Sequence, residues 1–221
     1  MNIEEVKQKI IAQGLLTLYY TDNVEASITI LRTLYDAGIN VIEYVNRGEK
    51  ALDNFKVLRN IIDTEKLDIV LGAGTIKNKE AALGFISAGA DFIICPTLNI
   101  EVAAVSHEHN ILWIPGCLTP TEIGLAENNG ASIVKIFPCS ETSPAFIKTM
   151  QEIFPSIKFI PTGGVDATKE SIASWFKVGV VAVGLGSKLI SKEMIVENNF
   201  SRLSGKVKEV LSIIEKIKLI K

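Results

Sequence analysis

Eight short runs of apolar and β-branched residues, each followed by a stretch of helical period, constrain this chain more than any other feature. The runs are LLTLYY (15–20), NVIEYV (40–45), DIVLGAGT (68–75), DFIICP (91–96), ILWIPG (111–116), SIVKIFP (132–138), KFIPTGG (158–164) and VVAVGLGS (180–187). Strands that alternate with helices predict parallel βαβ units. The run onsets fall 20–28 residues apart, close to the ~25–30 residues per unit of an eightfold barrel. An open, flavodoxin-like sheet needs only five or six strands, so the surplus favours closure into a (β/α)₈ TIM barrel. Gly38, Gly89 and Gly179 end helical segments just before a strand and read as helix C-caps. A first helix over 3–13 precedes strand one, and the amphipathic tail from 202 to 219 reads as the last helix. With no linker, low-complexity stretch or charge block, residues 1–221 are expected to form a single domain.

Composition narrows the class of function. Of 221 residues, 48% are hydrophobic and 22% charged, enough for a sizeable core. A net charge of −2 lacks the basic face that nucleic-acid binding requires. No apolar run approaches the ~18 residues of a membrane helix, and the acidic, periodic N-terminus is unlike a signal peptide. Three cysteines, an odd and sparse set, fit reduced thiols. The expectation is a soluble cytoplasmic protein that binds neither nucleic acid nor membrane.

In a parallel barrel the active site gathers at the C-terminal ends of the strands. Lys135 lies within an apolar strand, with Ile133 and Phe137 on its face and Val134 and Ile136 on the other. Burial there would favour a neutral amine able to attack a ketone. A lysine snorkelling from a barrel end is the competing reading, and this strand alone does not choose between them. Glu43 is a second charge inside an apolar strand, suited to general acid/base work or to pairing with a cation. Arg47 follows just past that strand, where a guanidinium fork suits a carboxylate; a surface ion pair with Glu49 is the alternative. Thr75 ends the GAGT segment with a hydroxyl at the mouth. The glycine-rich turns after strands seven and eight, around Gly163–Gly164 and Gly186–Ser187, are placed where this fold commonly cradles phosphate.

Cys95, Cys117 and Cys139 are spaced 22 apart. A metal site with His107 or His109 can be imagined, but the even cysteine spacing simply echoes the βα repeat, zinc sites usually contain a closely spaced ligand pair, and buried inert thiols fit better. The two histidines lie on a polar helix end and read as solvated surface.

Taken together, VIEYVNRG (41–48), GAGT (72–75), CPTLN (95–99), IPG (114–116), VKIFP (134–138), PTGG (161–164) and GLGSKLI (184–190) resemble one family. It is that of the 2-keto-3-deoxy-6-phosphogluconate (KDPG) and 4-hydroxy-2-oxoglutarate (KHG) aldolases, and the segments span nearly the whole chain in the family's order. The resemblance implies a class I, Schiff-base-forming lyase. Lys135 would form the imine and Glu43 would move protons. Arg47 and Thr75 would hold the carboxylate of a 2-keto acid, and Pro96 and Phe137 would line the pocket. Thr162 would touch the hydroxyl-bearing part of the substrate, and Gly163, Gly164, Gly186 and Ser187 would hold phosphate. It also implies a homotrimer, no metal and no cofactor.

Departures from the family pattern bear on the second substrate. The glutamate segment reads Glu43-Tyr44-Val45-Asn46-Arg47 where the family has a sequence like E-V-T-L-R. Cys139 replaces a common alanine or glycine, and Thr97 a frequent glycine. Another 2-keto-3-deoxy sugar acid therefore stays open as substrate. A metal-dependent phosphosugar isomerase or epimerase is a rival on the same barrel, but it would want paired carboxylates or histidines where only Glu43 stands.

Overall fold

Every apolar run becomes a strand in the computed structural model, which describes residues 1–219. The strands are β1 (Leu15–Tyr19), β2 (Val41–Val45), β3 (Val70–Gly74), β4 (Phe92–Ile94), β5 (Leu112–Ile114), β6 (Gly116–Cys117), β7 (Ile133–Ile136), β8 (Lys158–Pro161) and β9 (Val183–Leu185). They pair in parallel in the orders β5-β4-β3-β2-β1-β9 and β6-β7-β8. The run at 111–116, expected as one strand, is two. Pro115 has no N–H and interrupts the ladder between β5 and β6. Its carbonyl still accepts the Lys135 amide at 2.9 Å, so the wall continues across the break. On the other side a bridge from Thr162 to Gly184 joins β8 to β9, and β9 pairs with β1. Nine segments thus make the eight walls of a closed (β/α)₈ barrel.

The helices are α1 (Ile3–Gln13), α2 (Val24–Asp36), α3 (Ala51–Thr64), α4 (Lys79–Ser87), α5 (Ile100–Glu108), α6 (Pro120–Asn128), α7 (Pro144–Ile153), α8 (Lys169–Lys177), α9 (Lys192–Val196) and α10 (Phe200–Leu219). Their starts follow from capping chemistry. Asn23, Asn78, Asn99, Thr119 and Thr168 each accept a backbone N–H three residues on, satisfying donors that a helix N-terminus leaves unpaired. Gly38, Gly89 and Gly179 adopt left-handed backbone just after α2, α4 and α8, as their sequence positions predict. No described helix is long and apolar enough to cross a membrane.

Period-2 alternation sorts the buried residues into two cores. Those facing out of the barrel, among them Ile42, Tyr44, Val134 and Ile136, pack under the helices. Those facing in, including Leu16, Val41, Val70, Phe92, Leu112, Ile133 and Ile160, fill the lower barrel together with Val6 and Ile10 of α1. The first helix therefore plugs the lower end of the barrel. Each such side chain contributes about 1.5–3 kcal/mol by leaving water.

Candidate active site

Above Ile133 the barrel interior changes character. Lys135 is two residues on, so it shares the inward face and is buried at 4% exposure. Glu43 follows Val41 on β2 in the same way and is 0% exposed. β2 and β7 are the second and sixth walls, opposite each other across the axis, and their charged side chains meet there. Lys135 Nζ lies 3.6 Å from Glu43 Oε1. That is an ion pair beyond hydrogen-bond distance, and neither oxygen of Glu43 has a hydrogen-bond partner. The snorkelling reading of Lys135 is thereby excluded, because its nitrogen is enclosed on the barrel axis rather than solvated at a rim.

Two glycines make this arrangement possible. A methyl group at Gly74 would sit 1.9 Å from Glu43 Oε1, and one at Gly184 would sit 2.2 Å from Thr162 Oγ1. Both distances are far inside van der Waals contact, so the missing side chains on β3 and β9 provide the volume these polar groups occupy. The backbone approach expected of GAGT thus serves a neighbouring side chain. Thr162 is 3% exposed, and its hydroxyl is also without a hydrogen-bond partner. An unsatisfied buried polar group costs roughly 1–3 kcal/mol, and the upper barrel holds three side-chain oxygens without a hydrogen bond, two on Glu43 and one on Thr162.

A cavity of about 290 Å³ opens above the pair at the C-terminal ends of the strands. It brings together Arg47, Lys135, Phe137 and Thr162 with the turns at Gly163–Gly164 and Gly186–Ser187. Lys135 Nζ stands 5.0 Å from the centroid of the Phe137 ring. Arg47 is exposed and forms no ion pair with Glu49 among the described residues. Three of the sequence-predicted residues do not line this cavity. Glu43 lies beneath it beside the lysine. Thr75, at φ 57°, directly follows β3 and is half-buried, and Pro96 is half-buried past β4.

Sequence reasoning missed Tyr20, Lys188 and Lys192, which also line the cavity. Tyr20 closes the run at 15–20 and falls in step with inward Leu16, so alternation alone could have found it. Lys188 and Lys192 lie beyond strand ends, where periodicity carries no information, and a search for cations beside the glycine turns would have found Lys188. Tyr20 donates a hydrogen bond to Asp22. Burial, helped by that bond, pushes its phenol up to about 12, so it stays protonated at neutral pH.

The outward face of β2 explains the Tyr44 departure. The Tyr44 ring is buried under the helices, and its hydroxyl meets Ser27 Oγ at 2.9 Å, Asn54 Nδ2 at 3.2 Å and the Thr21 carbonyl at 3.1 Å. This cluster holds the loop after β1 against the strand that carries Glu43. Cys95, Cys117 and Cys139 are buried and free, and burial pushes their thiols up to about 11, 12 and 11. All three belong to the outer core, as the bland reading of them anticipates. His107 and His109 are exposed. A larger cavity of about 440 Å³ lies between α1 and α10 at the other end of the barrel, away from the mouth where this fold does its chemistry.

The model of the KDPG and KHG aldolase family matches residues 6–205. The chain is 28% identical to a 2-dehydro-3-deoxy-phosphogluconate aldolase of Haemophilus influenzae, over 96% of this chain and 98% of that one. It is 33% identical to a 2-dehydro-3-deoxy-6-phosphogalactonate aldolase of Escherichia coli, over 67% of this chain and 72% of the relative. Among solved structures, a KDPG aldolase of Legionella pneumophila, with pyruvate captured as a covalent carbinolamine, superposes with a TM-score of 0.84. That match is 25% identical over 93% of this chain and 97% of the other.

Proposed function

The chain belongs to the KDPG and KHG aldolase family, and on that premise we propose that it is a class I aldolase with Lys135 as its imine-forming residue. It reversibly cleaves 2-keto-3-deoxy-6-phosphogluconate to pyruvate and glyceraldehyde 3-phosphate, 4-hydroxy-2-oxoglutarate to pyruvate and glyoxylate, or both. The observation that carries the assignment is the enclosed contact between Lys135 Nζ and Glu43 Oε1 at 3.6 Å. An amine attacks a carbonyl only after losing a proton, and Glu43 is placed to accept it.

Lys135 adds to the C2 carbonyl, and loss of water gives an iminium. The C3–C4 bond then breaks as the C4 hydroxyl loses its proton, and the electron pair flows into the iminium. The aldehyde leaves. Protonation of the remaining enamine at C3 and hydrolysis release pyruvate and regenerate the amine. Glu43 carries the protons in these steps. Arg47 and Thr75 hold the keto-acid carboxylate, and such positioning is worth up to ~7–11 kcal/mol. Phe137 and Pro96 border the pyruvyl group, Thr162 meets the C4 hydroxyl, and the turns at Gly163–Gly164 and Gly186–Ser187 receive the distal phosphate. No step calls for a metal or cofactor.

Borohydride reduction in the presence of pyruvate tests the assignment. The expected result is one adduct mapping to Lys135 by mass spectrometry, absent from Lys135→Ala, whose turnover falls by roughly 10⁴-fold or more. An adduct on another lysine would overturn it. We further propose, from the undivided chain and its composition, a cytoplasmic single-domain protomer over 1–221 acting on small 2-keto acids, and, on the family resemblance, its assembly as a homotrimer. Sedimentation at the mass of one protomer would remove the trimer.

A further inference from the structure

We propose that Lys188 determines specificity by gripping the distal anionic group of the substrate, and that Asp166 holds its ammonium ready until that group arrives. The proposal deepens the aldolase reading and rests on it. The charged side chains lining the mouth cavity are Arg47, Lys135, Lys188 and Lys192, and every one is a cation. In that reading Lys135 is committed to the imine and Arg47 to the keto-acid carboxylate. Two positive charges remain, more than a substrate with a single carboxylate requires. They match a second, strongly anionic terminus such as a phosphate monoester, whose oxygens accept from ammonium donors.

Lys188 is the better placed of the two. It directly follows Ser187 in the turn after β9, while Asp166 follows the Gly163–Gly164 turn after β8 by two residues. Lys188 Nζ lies 2.9 Å from Asp166 Oδ1, so this pair already spans the two turns between which the anion would sit. The side chains are 64% and 54% exposed, and exposed pairs of this kind are held weakly. A dianion can therefore displace Asp166 at small cost. The backbone beneath is fixed, because the amides of Leu189 and Ile190 turn back onto the Gly186 carbonyl and Lys206 donates to the carbonyl of Lys188. Only the side chain has to swing. Lys192 is exposed at the start of α9 and adds to the local field without a partner of its own among the described ion pairs.

The test compares phosphorylated and unphosphorylated 2-keto-3-deoxygluconate in Lys188→Met, Lys188→Arg and Asp166→Asn. In Lys188→Met the preference for the phosphorylated substrate, read as the ratio of KM values, shrinks at least tenfold, and Lys188→Arg restores most of it. Asp166→Asn acts in the opposite direction, lowering KM for the phosphorylated substrate about twofold because the ammonium is freed. If the pair were only a staple between loops, both variants would raise KM alike for both substrates, and the proposal would fall. Calorimetric titration with inorganic phosphate provides a readout independent of turnover, and unchanged affinity in Lys188→Met would also overturn it. Wild-type trapping of pyruvate, measured alongside, isolates the underlying reading. Its absence sinks the aldolase assignment, whereas intact trapping with an unaltered KM ratio sinks only the role of Lys188.

Discussion

The lower and upper halves of the barrel interior are built by the same strands, yet they obey opposite rules. Below, Leu16, Val41, Val70, Leu112 and Ile133 interlock with Val6 and Ile10 in a wholly apolar plug. One step further along β2, β7 and just past β8, Glu43, Lys135 and Thr162 are as deeply buried but leave oxygens without a hydrogen bond. The apolar half is what any barrel needs to stay folded. The polar half buries two charges and an unbonded hydroxyl against one ion pair at 3.6 Å, which is the pattern expected where groups are held ready for a reaction. The contrast teaches that one strand can serve both ends, with the division set by a single step of two residues.

The contrast breaks most visibly at Glu43. Glu43→Gln should slow turnover by roughly 10²–10⁴-fold, the usual weight of a general acid/base, while borohydride still traps pyruvate on Lys135. Wild-type turnover in that variant would make the carboxylate a structural partner only. In the lower half, Leu112→Ala should cost about 2–5 kcal/mol of stability through the void it leaves, read as a fall in denaturant midpoint with trapping intact. Loss of trapping at full stability would blur the boundary between the halves. The sharpest version makes the upper half resemble the lower. Lys135→Met combined with Glu43→Leu should abolish activity and leave stability unchanged or raised by about 1–4 kcal/mol, as replacing a buried ion pair with apolar residues often does. A large destabilisation would show that the pair holds the barrel together.

Much of this division is legible in the sequence, because alternation with period two assigns each strand residue to one of two faces. Lys135 and Glu43 stand out as charges among β-branched neighbours, and both face inward. Alternation cannot say that these two residues, 92 positions apart in the chain, meet on the axis; barrel closure and strand order decide that. Nor can it separate the snorkelling lysine from the enclosed one. The break at Pro115 is hidden because the apolar pattern runs through it, although a missing donor is a local and readable cause. Lys188 and Lys192 escape for a different reason. Turn residues past a strand end follow no period, and the side chains they present depend on loop geometry. Tyr44 is instructive in the other direction. It looks like a change at the active site, yet it faces the helices and ties down a neighbouring loop.

The missing methyl at Gly74 also limits how this protein can change. Since the carboxylate of Glu43 occupies the volume a side chain there would need, neither position can vary freely while the other stays as it is. A descendant that gained an alanine at 74 would first have to shorten or lose its acid at 43, passing through a form with impaired chemistry. The two sites are bound to a common history, and an empty space is what binds them.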